Sequence, residues 1–286
     1  MLEARCLKSE VPAANLLAEA TGLIPRPDAE YVLMHLLGTR HHGLYSGLPV
    51  PSRTADRFRR LVARAEAGEP VQYLTRSAPF LDFDVYVDRR VLIPRPETEE
   101  LVVRALSRIR SGRKLQAVSR RLFAVDYGTG SGCIAIALAR ALPEARVLAV
   151  DASKAALAVA ARNVTRYGLA RRIRLAQTRS IEERVLTRLR GRLDLLISNP
   201  PYVPTPRLAR LDRAVRREPR LALDGGPKGA NIVAMLLTHG PGLLKPCGLL
   251  AIEIDATHEA VVRRLAPDAD IERDLAGRIR YAFLQK

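Results

Sequence analysis

Residues 122–142 read Leu-Phe-Ala-Val-Asp-Tyr-Gly-Thr-Gly-Ser-Gly-Cys-Ile-Ala-Ile-Ala-Leu-Ala-Arg-Ala-Leu. A short apolar run breaks at three glycines set at every second position, then resumes as an Ala/Ile-rich segment of helical length. This predicts a strand over Leu122–Asp126 and a helix over Ile134–Leu142. The glycines between them permit a sharp turn and let a ligand approach the main chain closely. The chain beyond repeats the alternation. Arg146–Asp151, Ile173–Ala176, Asp194–Ser198 and Leu249–Ile254 read as strands, with helices over Lys154–Tyr167, stopped by Gly168, and Ile181–Leu189. Ile271–Leu275 and Arg280–Leu284 add two strands joined through Ala276-Gly277-Arg278. Strands and helices in turn predict an α/β fold, a mostly parallel sheet with helices on both faces.

Upstream of this stretch the periodicity changes. Residues 1–75 predict a small helical domain. Leu16, Leu17, Ala20 and Leu23 share one helix face, and Pro27-Asp28 opens a second helix with Ala29, Val32, Leu33, Leu36 and Leu37 as its stripe and Gly38 as its stop. Ser52 is read as the cap of a third helix with Phe58, Leu61, Val62 and Ala65 inward. No strand-like alternation is seen before Pro79. Residues 76–96 read as a β-hairpin linker, with Phe80, Phe83, Val85, Val87, Val91 and Ile93 in β-prone runs, and Pro94-Arg95-Pro96 stops the strand. Glu97 to Glu100 open a helix with acids in its first turn, where the dipole favours them. Arg108–Arg121 reads as a solvated connection, and residues 97–286 as the sheet domain.

Composition narrows the class. The 286 residues are 48% hydrophobic and 27% charged, which excludes global disorder. A chain of this size buries roughly 75% of its unfolded surface and needs no staple. The longest apolar runs fall well short of the ~20 residues of a membrane span. Glu3, Arg5, Lys8 and Glu10 interrupt the first residues, so no signal peptide is read there. Cys6, Cys133 and Cys247 are widely separated and form neither a metal pattern nor a disulfide framework, which fits a reducing cytosol. The net charge is +17, from 47 Lys and Arg against 30 Asp and Glu. That excess suits a nucleic acid or an RNA-rich particle. Only six of the basic residues are Lys, so Arg-biased coding accounts for the excess at least as well.

Two constellations carry chemistry. The first is Asp126-Tyr127-Gly128-Thr129-Gly130-Ser131-Gly132 with Asp151 at the end of the next strand. An acid there can accept hydrogen bonds from both hydroxyls of a ribose, so the pair fits a nucleoside-type cofactor. The spacing is G-x-G-x-G, not the dinucleotide G-x-G-x-x-G, and no phosphate-binding Lys follows. The second is Asn199-Pro200-Pro201-Tyr202 after the fourth strand. Pro200 forces Asn199 into extended backbone, and two prolines remove donors while keeping carbonyls. The Asn199 side-chain oxygen and the Pro200 carbonyl can each accept one N–H of a planar NH₂ group, and Tyr202 can stack on that plane. No His has a partner cluster: His41-His42 read as a surface loop and His35 as part of a packed helix, so neither metal nor His chemistry is expected.

Asp126–Gly132, Asp151 and Asn199–Tyr202 resemble the motifs of class I S-adenosylmethionine-dependent methyltransferases that act on planar nitrogens. Gly68–Leu74, Val91–Glu99, Glu218–Leu223, Leu243–Pro246 and Asp274–Arg278 narrow the resemblance to the peptide chain release factor glutamine methyltransferases, the HemK-like family, from about Pro27 to the C-terminus. The resemblance implies a Rossmann-like sheet domain behind a helical substrate-docking domain. It further implies methylation of the side-chain amide nitrogen of the glutamine in a Gly-Gly-Gln loop of a class I release factor. The cofactor would be S-adenosylmethionine, leaving S-adenosylhomocysteine. Carried over by position, Asp126, Gly128, Thr129, Gly130, Ser131 and Gly132 would cradle the cofactor, and Asp151 would hold its ribose. Arg179 and Ser180 stand on the adenine side, where the family usually has an acid. Asn199, Pro200, Pro201 and Tyr202 would grip the substrate amide, with Asn199 also beside the transferred methyl. Further departures are Arg76 and Asp255, where Gly is common, and His258, where Gln is common.

Three readings follow. The first is the release-factor enzyme, cytoplasmic, monomeric by default, with the ribosome as a second candidate partner and no need for direct nucleic-acid binding. The second is an adenine amino-methyltransferase acting on rRNA or DNA. An aromatic content of 5% without Trp offers little stacking surface for bases and speaks against it. The third is a non-catalytic translation-factor or ribosome-binding module, resting on Arg179 and the basic segments 171–192 and 207–220.

Overall fold

The computed structural model describes residues 10–39, 41–112 and 122–286. The chain divides into two compact units, residues 1–76 with 213–217, and residues 77–212 with 218–286.

In the first unit, strand β1 (Glu10–Pro12) pairs antiparallel with β2 (Pro49–Pro51). Helices α1 (Ala13–Ala20), α2 (Arg26–Leu37), α3 (Ser52–Glu66) and α4 (Val71–Thr75) follow in chain order around that pair. Each helix starts directly behind a proline. Pro12, Pro25, Pro51 and Pro70 occupy the four cap positions with φ between −54 and −59°. Proline's ring fixes φ near that range and withholds an N–H that a first turn cannot use. Gly38 ends α2 at φ 63°, as its position predicts. Leu16, Leu17, Val32, Leu33, Leu44, Phe58 and Val62 form the core.

Four expectations change in this unit. The β1–β2 pair breaks the all-helical reading; three-residue strands are too short to show alternation. α1 ends at Ala20, so the following turn leaves Leu23 46% exposed and buries Ile24 in its place. Pro51 takes the cap position, and Ser52 is the first residue of α3. His35 lies on a helix but is exposed.

The second unit opens with β3 (Ala78–Phe80) and β4 (Phe83–Val85), a hairpin closed by Leu81 at φ 53°. Val87, Val91 and Ile93 do not extend it. Backbone N–H groups here are satisfied by buried side chains instead of a strand partner. Tyr86 N–H donates to Asn163 Oδ1 (2.8 Å) and Ile93 N–H to Glu218 Oε2 (3.0 Å). Helix α5 (Pro96–Gly112) begins with Glu97 and Glu99 in its first turn. It absorbs residues 108–112 of the expected connection, and residues 113–121 lie outside the described residues. Arg108 is thus helical and paired with Asp270 and Glu272.

The sheet strands are β5 (Phe123–Tyr127), β6 (Arg146–Asp151), β7 (Ile173–Gln177), β8 (Leu193–Ser198), β9 (Leu244–Glu253), β10 (Asp270–Arg273) and β11 (Ile279–Gln285). They lie in the order β10-β11-β9-β8-β5-β6-β7, parallel from β9 to β7, with β11 antiparallel to both its neighbours. The helices between them are α6 (Cys133–Ala141), α7 (Lys154–Arg166), α8 (Arg184–Thr187), α9 (Asn231–His239) and α10 (Glu259–Leu265). Val125 and Tyr127 pack on one face with Val233, Leu236 and Val262 of α9 and α10. Asp126, one residue out of phase and so on the opposite face, bonds the Ala135 N–H of α6. Helices therefore cover both faces, as the alternation predicts.

The expected helix over Ile181–Leu189 shrinks to α8, because short-range turns such as Glu183 N–H to Ser180 O (3.3 Å) and Leu189 N–H to Leu186 O (2.8 Å) flank it. β9 starts at Leu244 rather than Leu249. Its pairing with β8 is irregular where Pro246 and Cys247 (φ 62°) interrupt it, and those residues disguise the strand in the sequence. The sequence reading passed over α9 and α10. Chain connections leave β5 for β6 and β7 on one side and arrive at β8 on the other. The carboxyl ends of β5 and β8 therefore form the topological switch point, where open α/β sheets bind ligands.

Candidate active site

Both constellations meet at that point. The Gly-rich turn leaves β5 and hooks onto β6, with Gly128 N–H and Thr129 N–H both donating to Val150 O at 2.9 Å. Gly128, Gly130 and Gly132 have φ of 78, 54 and 85°, a left-handed run that disfavours side chains. A Cβ on Gly132 would also stand 3.3 Å from the Ala160 Cβ of α7. Asp151 secures the turn from below: Oδ2 accepts from Gly130 N–H (2.9 Å) and Oδ1 from Ser153 N–H (2.8 Å). Burial raises the Asp151 pKa, and those backbone donors oppose the rise. Each oxygen keeps a further lone pair for a ligand hydroxyl.

Asp126 lies fully buried beneath the turn. Its Oδ2 accepts from Thr129 Oγ1 (2.6 Å) and Ala135 N–H (3.1 Å), while Oδ1 has no partner. Burial pushes its pKa up to about 7, against the pull of the Thr129 and Ala135 donors. The Ser131 hydroxyl is likewise buried without a partner. A carboxylate oxygen and a hydroxyl left without partners under a glycine cradle fit a ligand that brings a positive charge and a donor. The residues present therefore suit a cationic nucleoside cofactor.

The proline corner follows β8. The Ser198 hydroxyl donates to Tyr127 O (2.7 Å), stitching the end of β8 to the last residue of β5. A Cβ on Gly128 would stand 3.9 Å from Asn199 O, so turn and corner are adjacent. Pro200 is buried, and Pro201 and Tyr202 are half-buried. Asn199 Nδ2 donates to Thr98 Oγ1 (2.8 Å), and Thr98 Oγ1 donates to Glu253 Oε2 (2.7 Å). The Tyr202 hydroxyl donates to the other oxygen of the same carboxylate, Oε1 (3.2 Å). Glu253 is 0% exposed, and burial pushes its pKa up to about 7 against Thr98, Arg280 and Tyr202. Burial, then the charge of Glu253, raises the Tyr202 pKa above its usual value, so its hydroxyl stays protonated.

A second loop backs the corner. A Cβ on Gly225 would come 2.8 Å from Pro201 O, and one on Gly229 would come 2.4 Å from Tyr202 O. Only glycine lets these backbones pack so closely. Val203 and Gly225 bind through a backbone bond of 2.9 Å, and the Thr205 hydroxyl donates to Asp224 (2.6 Å). The motif string before α5 is tied in as well, since Arg95 forms an ion pair with buried Glu218, whose other oxygen takes Ile93 N–H.

Beyond the end of β7, Thr178 N–H donates to Asp151 O (3.0 Å) and the Thr178 side chain is buried. The Arg179 side chain is exposed, and its N–H donates to Glu183 Oε1 (2.8 Å). The Ser180 hydroxyl accepts from Glu182 N–H (3.2 Å). The departures at 255 and 258 form one device. Asp255 Oδ1 accepts from Thr257 N–H (3.0 Å) and His258 Nδ1 accepts from Asp255 N–H (3.2 Å), a reciprocal cap at the entry to α10. His258 packs edge-on against Tyr202, with centroids 6.4 Å apart, and burial lowers its pKa. Arg76 holds φ 55° at the end of α4, a conformation that glycine adopts without strain.

The sequence reading had Thr98 and Glu218 only as members of motif strings, and missed Glu253, Gly225, Gly229 and Asn163 altogether. One signal was available for Glu253: an acid inside the apolar run Leu249–Ile254, at the carboxyl end of a predicted central strand. Among the described residues no cluster of three or more His, Cys, Asp or Glu is placed to hold a metal. No helix among them is long and apolar enough to cross a membrane.

Two family models match the chain: the PrmC N-terminal domain over residues 12–75 and the methyltransferase small domain over residues 105–211. A release factor glutamine methyltransferase from Chlorobaculum tepidum is 41% identical over 84% of this chain and 82% of the relative. One from Moorella thermoacetica is 42% identical over 90% and 89%. Among solved structures, a methyltransferase from Pyrococcus furiosus has a TM-score of 0.51 at 17% identity over 82% of this chain and 98% of that one. The hMettl16 catalytic domain in complex with the MAT2A 3'UTR hairpin 6 has a TM-score of 0.54 at 13% identity over 78% and 80%. At those identities the two structures speak for the fold alone.

Proposed function

The chain belongs to the release factor glutamine methyltransferase family, and from that premise we propose its reaction. It transfers a methyl group from S-adenosylmethionine to the side-chain amide nitrogen of the glutamine in the Gly-Gly-Gln loop of a class I peptide chain release factor. S-adenosylhomocysteine is the second product. The observation that carries the reading is the anchored Asn199 amide, whose nitrogen is engaged by Thr98 and whose oxygen is left to accept an N–H.

A carboxamide nitrogen is a poor nucleophile because its lone pair is delocalised into the carbonyl. The bound cofactor supplies a methyl group on a positively charged sulfur, which is electrophile enough. What the chain must add is position, worth roughly 7–11 kcal/mol of barrier when the geometry is right. Asn199 Oδ1 and the Pro200 carbonyl accept the two amide protons and turn the nitrogen toward the cofactor. Tyr202 covers the amide plane, and the half-buried corner strengthens the hydrogen bonds while leaving water within reach. The N–CH₃ bond forms as the S–CH₃ bond breaks, and the electron pair stays on sulfur. The corner offers only weakly basic amide oxygens, so the proton shed by the nitrogen passes to water.

Asp126 and Gly128 to Gly132 hold the cofactor in this reading and Asp151 its ribose, with Thr178 to Ser180 beside the adenine. Residues 1–75 dock the release factor, and the enzyme works in the cytoplasm without a metal, with the ribosome as a second candidate partner. The adenine amino-methyltransferase alternative finds no support among the sequence relatives.

The test is labelling from tritiated S-adenosylmethionine. A release factor should take up label, and the same factor with its loop Gln changed to Asn should not. Equal labelling of both would remove the proposal.

A further inference from the structure

We infer that Thr98 and Glu253 are positioning residues that fix which face of the Asn199 amide meets the substrate. The inference rests on the reaction proposed above. A side-chain amide is nearly symmetric in shape, yet one end accepts and the other donates. The substrate nitrogen presents two N–H donors. If Asn199 were flipped, donors would face donors and the corner would repel the group it must hold.

The contacts around Asn199 settle the choice. An ionised carboxylate only accepts. Glu253 Oε2 therefore takes the single Thr98 hydroxyl proton at 2.7 Å. With that proton spent, Thr98 Oγ1 can only accept from Asn199, 2.8 Å away, so the amide NH₂ must face it. The Asn199 oxygen is left for the substrate. The second oxygen of Glu253 takes the Tyr202 hydroxyl at 3.2 Å, so one buried carboxylate also sets the ring. The groups come from α5, the end of β9 and the loop after β8. No two of them are neighbours in sequence except within the corner itself.

The device depends on the charge of Glu253. Thr98 and Glu97 face it from α5, Tyr202 from the corner, and Arg280 and Tyr281, the cross-strand partner of Glu253, from β11. Arg280 and the two donors favour the carboxylate, while burial and Glu97 favour the acid, and the balance lies at about 7. Once protonated, Glu253 can donate to Thr98 Oγ1, which frees the Thr98 proton and lets the amide flip. Methyl transfer should therefore lose rate as pH falls through about 7.

The experiment compares wild type, Thr98→Val, Thr98→Ser and Glu253→Gln in methylating a release factor, with S-adenosylmethionine affinity and Tm measured alongside. Thr98→Val should lose about 10- to 100-fold in kcat/KM, with cofactor affinity unchanged. Thr98→Ser should recover most of that loss. The pH limb near 7 should vanish in Glu253→Gln. Thr98→Val at wild-type activity, Thr98→Ser as weak as Thr98→Val, or a limb retained in Glu253→Gln would each overturn the inference while the reaction stands. Loss of cofactor binding in Thr98→Val would overturn it too. A wild-type enzyme that leaves the release factor unlabelled removes the reaction, and the inference falls with it.

Discussion

The Gly-rich turn and the proline corner stand at adjoining strand ends and are built by opposite means. The turn is held through its own main-chain N–H groups: Gly128 and Thr129 hang from Val150 O, and Gly130 hangs from the Asp151 carboxylate. The corner is held by side chains and by a distant loop: Thr98 and Glu253 grip Asn199 and Tyr202, and Gly225 and Gly229 press on its backbone. Main-chain support tolerates sequence change as long as the conformation survives. Side-chain support fails when one atom is removed. The cofactor side should therefore respond to changes in backbone freedom, and the substrate side to single-atom chemistry.

The sharpest break is Asn199→Ala. It should cut methyl transfer by about 100- to 1000-fold, with S-adenosylmethionine binding intact by calorimetry. Near-normal turnover would refute the division of labour. Next comes a pair of glycine changes. Gly229→Ala places a methyl 2.4 Å from Tyr202 O and should lower kcat/KM for the release factor by about 10- to 100-fold at unchanged cofactor affinity. Gly132→Ala, at φ 85° and 3.3 Å from Ala160, should weaken cofactor binding instead. If both variants fail in the same parameter, turn and corner are not separate devices.

The smallest effect concerns Asp126. Its folded pKa of about 7 lies above the ordinary 3.8, so the folded state holds a proton that the unfolded chain releases. Its contribution to stability is full below pH ~4 and is lost as pH rises through about 7. A cationic cofactor reverses that by giving Oδ1 a partner. The Tm gain from S-adenosylmethionine should therefore be larger at pH 8 than at pH 5.5, by roughly 2–4 °C. The difference should disappear in Asp126→Asn. An equal gain at both pH values in wild type would show that Asp126 does not sense the ligand's charge.

The same contrast explains what could be read from the sequence. The turn was legible because its three glycines and the acid of the next strand stand close together in the chain and mark the strand–turn–helix by themselves. The residues of the corner were legible too, since two prolines and an extended Asn dictate their own backbone. What holds the corner was not. Thr98 and Glu253 are 155 positions apart, and no local period marks a contact of that span. Val87 and Ile93 looked like strand because apolar residues alternate there, but Asn163 takes the Tyr86 N–H beside Val87, and Glu218 takes the N–H of Ile93 itself. β9 hid its first half behind Pro246 and Cys247. Leu23 followed the periodicity of a helix that had already ended.

The bond from the Ser198 hydroxyl to Tyr127 O has one further consequence. It joins the roots of the Gly-rich turn and the proline corner, which hold cofactor and substrate in the proposed reaction, across two adjacent parallel strands. Such strands stand about 4.8 Å apart in every sheet. The reach between donor and acceptor is thus gauged by strand spacing, a length the backbone holds constant, and not by any loop. Substitutions around the rim can alter which side chain is admitted. Lengthening the reach itself would take a different neighbour for β5.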